Sequence, residues 1–187
     1  LNNLATTLSD LGRHAEALPL KERALAITEA ALGPDHPTTA IQLGNLATTL
    51  SDLGRHAEAL PVAERALAIS EAALGPDHPT TAIRLNNLAR TFSGLGRHAE
   101  ALPLKERALA ITEAALGPDH PTTAIRLNNL ATTLSDLGRH AEALPLKERA
   151  LAITEAALGP DHPTTATRRT NLNEIRTALK SLQEDQA

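Results

Sequence analysis

Between Pro79 and Leu95 the apolar residues Leu85, Leu88, Phe92 and Leu95 recur at spacings of three and four, which lays them along one face of an α-helix. The spacing predicts a helix from about Pro79 to Leu95. Pro79 falls in the first turn, where a missing N–H costs nothing, and Asp77 or His78 is placed to cap the free amides. Gly96 ends the helix, with Arg97 and His98 in the turn. A second helix is predicted from about Ala99 to Leu116. In it Ala101, Ala108 and Ala115 recur every seven residues beside Leu102, Leu109 and Leu116. A row of alanines lets two helix backbones approach closely. Pro103 lies early in this helix, where its lost hydrogen bond matters least, and Gly117-Pro118 stops it. No stretch shows a strand pattern.

The pattern then repeats. Leu4, Leu46, Leu88, Leu130 and Leu172 are each 42 residues apart, and 1–42, 43–84, 85–126 and 127–168 align without a gap. Relative to 127–168, the first unit differs only at Ile41 and Gln42. The second differs at Gly44, Val62, Ala63, Ser70 and Ile83, and the third at Arg90, Phe92, Gly94 and Ile125. Near-identical units make the same contacts with their neighbours, so the expected fold is all-α, a solenoid of tandem antiparallel helix pairs. The expected divisions are 1–33 (an N-terminally truncated unit), 34–75, 76–117, 118–159, and a C-terminal capping helix over 160–187. Because Leu1 falls inside a first helix, the chain reads as excised from a longer array. After Thr170 the pattern breaks: Leu172, Ile175, Leu179 and Leu182 keep an apolar stripe, while Arg176, Lys180 and Glu184 make the other surface polar, as a capping helix requires.

Composition fits thin layers of closely packed helices. The 42% hydrophobic fraction is almost entirely Ala, Leu and Ile, with Phe92 the single aromatic and no Trp, Tyr, Met or Cys. The net charge of −4, from 18 basic and 22 acidic residues without a basic stripe, argues against nucleic acid as a partner. No apolar run reaches the roughly 18 residues of a membrane span, and without cysteine there is neither a disulfide framework nor a thiolate metal site. A cytoplasmic chain with no membrane contact is expected.

The strings Leu-Asn-Asn-Leu-Ala at 85–89 and 127–131, Gly-Arg-His-Ala-Glu-Ala at 96–101, Arg-Ala-Leu-Ala-Ile at 107–111 and Leu-Gly-Pro-Asp-His-Pro at 116–121 resemble tetratricopeptide repeats. The 42-residue period is similar to that of kinesin light chains and of many bacterial arrays, and the resemblance covers residues 1–175. It implies a right-handed superhelix with a concave face lined by the first helix of each repeat, where an extended or short helical peptide binds. It also implies ligand-binding asparagines at Asn2, Asn3, Asn45, Asn86, Asn87, Asn128, Asn129 and Asn171, with Gly44 and Thr170 replacing the first of the pair in two units. A carboxamide offers both donor and acceptor and so pairs with a peptide group whatever its side chain. The sequence departs from the family pattern where aromatics are usual, carrying Leu50, His56 and Ala63 instead, and the basic residues of chaperone-tail clamps are missing from the Asn positions.

Other candidate chemistry is thin. The histidines come two per unit, as at His14 and His36, in opposite connecting turns and without close-spaced partners, so turn and capping roles are expected and no metal. Asp136, Glu142 and Glu148 read as a solvated helix face, because a catalytic constellation is a single asymmetric cluster rather than one repeated in each unit. No phosphate loop, nucleophile elbow or His-Glu-x-x-His stretch occurs. Neither enzyme activity nor a cofactor is expected. Arg90 stands where the other units have Thr6, Thr48 or Thr132, and is either a receiver for an acidic ligand group or neutral drift.

The expected function is a scaffold holding a peptide or partner protein in the concave groove. The alternatives are an oligomerising or sensor region of a larger bacterial nucleotide-switch signalling protein, and a consensus-like array with no evolved ligand. Weak end-to-end self-association is also expected, through an open N-terminal edge at Leu1, Leu4 and Leu8 that leaves Leu18 and Leu25 partly uncovered.

Overall fold

A computed structural model describes residues 2–184, with side-chain surroundings over residues 3–181. Leu1, and the side chains of Asn2, Leu182 and Glu184, lie outside the described residues. Among those described there are nine helices and no strand: α1 Asn2–Asp10, α2 His14–Leu32, α3 Pro37–Asp52, α4 His56–Leu74, α5 Pro79–Gly94, α6 His98–Leu116, α7 Pro121–Asp136, α8 His140–Leu158 and α9 Pro163–Glu184. Odd-numbered helices are the first of each pair and even-numbered helices the second. The chain forms two compact units, 1–104 and 105–187.

The repeated Leu-Gly-Pro-Asp-His-Pro string is a turn closed by a short set of hydrogen bonds. Gly33 ends α2 at φ +96°, in the left-handed region that glycine alone adopts cheaply. His36 is the N-cap of α3, its Nδ1 accepting from the Thr38 amide at 3.1 Å, and Pro37 follows in the first turn. Fully buried Thr39 then donates its hydroxyl back to the Gly33 carbonyl at 2.8 Å, so the start of one helix satisfies the end of the last. The same bonds recur at His78 and Thr81, at His120 and Thr123, and at His162 and Thr165. Histidine rather than aspartate takes the capping role.

In the first unit α3 packs between α2 and α4, α4 packs on α5, and α3 also touches α5. Leu18, Leu46, Leu50 and Ala59 form one core cluster, and Ala40, Leu43, Ala66 and Ile69 another, with Leu25 and Val62 at the edge of both. Leu18 is therefore covered, contrary to the open edge expected there, in a cluster with Leu46 and Leu50 of α3, while Leu25 is partly buried. Leu4 is 56% exposed. In the second unit α7 packs on α8 and α8 on α9, burying Leu127, Leu130, Leu134, Leu172 and Ile175. The alanine row expected on the second helix stops short. Ala101 and Ala108 are fully buried, but Ala115, near the end of α6, is exposed.

Arginines on the second helices tie successive pairs together. Arg65 reaches from α4 to Glu29 at 2.6 Å and to the Pro34 carbonyl at 3.0 Å, and Arg149 does the same with Glu113 and Pro118.

Candidate functional site

The first-helix face carries the expected ligand residues, and the helices hold them in different ways. Asn87 is half-buried on α5 and donates to Thr48 Oγ1 of α3 at 3.3 Å. Asn128 accepts from Lys147 at 2.9 Å. Asn86 and Asn129 are half-buried and also engaged within the chain. Asn3 is exposed. Asn45 and Asn171, at the same repeat position on α3 and α9, are half-buried with side chains that make no hydrogen bond among the described residues. Gly44, which replaces an Asn, is buried: a Cβ there would lie 2.0 Å from the Arg84 guanidinium, so the missing side chain makes room for a buried arginine.

Arg90 is paired within the chain although its side chain is partly exposed. Its guanidinium bonds Asp52 at 2.8 Å and the Thr48 carbonyl at 3.2 Å, tying α5 to the end of α3.

The sequence reading missed three lysines on this side of the repeats. Lys21, Lys105 and Lys147 are 6%, 8% and 5% exposed. Lys21 donates to Ser9 at 2.8 Å and Thr49 at 2.6 Å, Lys105 to Thr133, and Lys147 to Asn128 and to Thr132 at 3.0 Å. Burial pushes all three ammonium groups below the ordinary lysine pKa, opposed by nearby carboxylates. Those carboxylates make ladders of alternating sign. In the first unit the order is Asp10, Lys21, Asp52, Arg90; in the second it is Lys105, Asp136, Lys147, Glu174. Asp136 therefore belongs to a charge ladder as well as to an exposed face, while Glu142 pairs with Arg139 and Glu148 with Arg176.

One joint is built differently, and it gathers four of the private substitutions. Ala63 stands where the lysine would be, and Gly94 where that lysine's aspartate would be, since Lys21 and Asp52 are the same 31 residues apart. Phe92, in place of leucine, packs in one cluster with Ala63 and Leu88. Ser51 and Thr91, the hydroxyls that a lysine would bridge, bond each other at 3.2 Å. The His56 ring occupies the space over Gly94, 2.4 Å from where a Cβ would sit. Arg90 gives Asp52 the cation that Ala63 withdraws. Volume and charge are thus exchanged together, and neutral drift is a poor account of Arg90.

His14, His56 and His140 begin second helices rather than sitting in turns, and each buries an Nδ1 that makes no hydrogen bond. The histidines therefore divide into a capping set, as expected, and a set packed at the starts of the second helices rather than in the turns. Among the described residues no three His, Asp or Glu converge on a metal-sized site.

The profile of the tetratricopeptide repeat matches residues 1–72, 41–114, 94–156 and 127–184. The chain is a tetratricopeptide-repeat protein. Repeats of this family mediate protein–protein contact, a non-catalytic role. A solved kinesin-light-chain-type protein of Podosopora anserina, built of nearly identical TPR-like repeats, is 29% identical over 99% of this chain and 88% of its own, with a TM-score of 0.83. A solved point variant of that protein gives the same identity and score. BtubC (BKLC) from P. vanneervenii is 26% identical over 96% of this chain and 72% of its own, with a TM-score of 0.81. No curated protein sequence matches the chain. These repeats are thus of the kinesin-light-chain-like kind, and no helix among the described residues is long and apolar enough to cross a membrane.

Proposed function

We propose that the chain is a protein-interaction scaffold that holds a peptide or partner protein against the face lined by the first helices of its repeats. The observation that carries this reading is the pair Asn45 and Asn171, half-buried at one repeat position and with carboxamides not used by the protein. These carboxamides bond no other group of the protein, and a guest's backbone N–H and C=O would match both of their ends. Asn87 and Asn128 serve mainly to hold the face, because each already bonds a neighbouring helix.

Peptides selected from a displayed library against the whole chain supply the probe. Asn45→Ala with Asn171→Ala should weaken their binding about tenfold, the equivalent of roughly 1.4 kcal/mol, with the melting temperature unchanged. Asn87→Ala should lower the melting temperature, because it breaks the bond to Thr48. Undiminished affinity in the double variant would remove the asparagine face as the site.

A further inference from the structure

One position of the first helices holds Gln42, Arg84, Arg126 and Arg168 in turn, and two of its arginines are placed differently. On α5 the guanidinium of Arg84 lies over Gly44 and fills the room that a side chain would take there. Two periods later Asn128 stands in place of Gly44. Arg168 of α9 instead bonds the Ala124 and Ala150 carbonyls, at 2.8 and 3.2 Å. The residue before it is Thr167, where the other units have Ile41, Ile83 and Ile125. Beside Arg168 there remains a cavity of about 340 Å³, bordered by Asn128, Pro163, Thr164, Thr167, Arg168 and Asn171.

None of these six residues is acidic, and the free polar groups among them are chiefly donors. Arg168 is 9% exposed, and Nη1 alone makes both of its carbonyl bonds. Its Nε and Nη2 make no hydrogen bond among the described residues. Burial lowers its pKa, and no carboxylate opposes that shift. Asp136 and Glu174 act on Lys147 rather than on Arg168, and Glu155 pairs with Arg169. Asn128 gives its Oδ1 to Lys147, which leaves its Nδ2 to donate, and the Asn171 carboxamide is unbonded. The Thr167 hydroxyl donates to the Pro163 carbonyl, and the Thr164 amide to His162. A buried cation thus borders open space with two N–H groups unused and no acid in the lining.

The same edge is filled elsewhere in the chain. Arg139 holds Glu142 with Nε and Nη2, one on each carboxylate oxygen at 2.7 Å, and Arg13 and Arg55 hold Glu16 and Glu58 in the same way. Two parallel N–H groups on a planar cation match the two oxygens of a carboxylate. We infer that the cavity between α7 and α9 binds a carboxylate on the Nε–Nη2 edge of Arg168, with the Nδ2 groups of Asn128 and Asn171 as further donors. The guest is either the Asp or Glu side chain of a partner or a small free acid. For a partner's side chain the inference rests on the first-helix face as the binding surface. Asn45 lies outside the cavity, so Asn45→Ala separates the two readings.

The test titrates acetate into the whole chain at fixed ionic strength, with chloride as the balancing anion, and follows the Nε–H resonance of Arg168. A saturable downfield shift in the millimolar range is expected. Thr167→Ile, which restores the residue of the other three units, should abolish it by lining the cavity with an apolar group. Asn128→Gly should abolish it by giving the guanidinium the room that Gly44 gives Arg84, so a variant that fails to fold leaves the other to decide. Asn45→Ala should leave the shift intact even where it weakens the selected peptides. A blocked peptide with one Glu, compared with its Gln counterpart, tells the two sources apart. Tighter saturation by the Glu peptide assigns the site to a partner, and no difference between the peptides, with acetate saturating, assigns it to a free acid. A shift that never saturates, that chloride or inorganic phosphate reproduces, or that persists in folded Thr167→Ile would overturn the proposal.

Discussion

Three of the four lysines, Lys21, Lys105 and Lys147, are buried, and burial holds each ammonium below its ordinary pKa. The unfolded chain then binds more protons than the folded one between the depressed pKa and the ordinary value of about 10.4. Stability is at its lowest with respect to these groups below the folded pKa, and it rises as pH climbs through that value. With no Tyr or Cys in the chain, little else titrates there. The melting temperature should therefore rise as pH climbs from neutral towards the ordinary lysine value. A Lys21→Met, Lys105→Met, Lys147→Met variant should lose that rise and melt at or above the wild-type temperature at pH 7, since apolar replacement of buried ions is often neutral or stabilising by about 1–4 kcal/mol. A flat wild-type profile in calorimetry would contradict this account of the lysines.

Helices in this protein are joined by two kinds of contact, and the difference lies in four residues of one joint. Where Lys21 meets Ser9 and Thr49 under the charge of Asp52 the contact is polar and hydrogen-bonded; where Ala63 meets Phe92 it is apolar. Mixing the two kinds should be costly. Ala63→Lys alone would place an ammonium against Phe92 with no Asp at position 94 and with Asp52 already paired to Arg90, at a cost of about 1–3 kcal/mol. Gly94→Asp alone would drive a side chain into the His56 ring. The triple change Ala63→Lys, Phe92→Leu, Gly94→Asp restores the other kind of joint and should be at least about 1 kcal/mol more stable than the sum of the singles. Denaturant melts of the cycle decide it; additive losses would mean the substitutions are unrelated.

In a solenoid each helix pair rests only on its neighbours, so protection follows the number of covered faces. Between its flanking helices α3 buries nine residues, whereas in α1 Ala5 alone is buried among the described side chains. Amide hydrogen exchange should accordingly be fastest in α1 and slower by orders of magnitude in α3. Equal protection of the two would show that the pairs open as one cooperative block.

The helix pairs, their stops and their period were legible in the sequence because each depends on local rules. Leucine spacing sets the buried face, Gly33 and its equivalents need a left-handed backbone, and Pro37 and its equivalents tolerate only a first turn. The private residues Ala63, Arg90, Phe92 and Gly94 could be seen, but their partnership could not. Ala63 and Gly94 lie 31 positions apart, and only packing of α4 on α5 makes them one site. The buried lysines were hidden for a similar reason. A long side chain on a polar position looks solvated until a neighbouring helix closes over it and supplies its acceptors. The asparagines were named from the sequence, yet the tertiary structure decided which are already bonded, because that depends on what the adjacent helix brings within 3.5 Å. Local chemistry fixed the elements; the approach of separate helices assigned their polar groups.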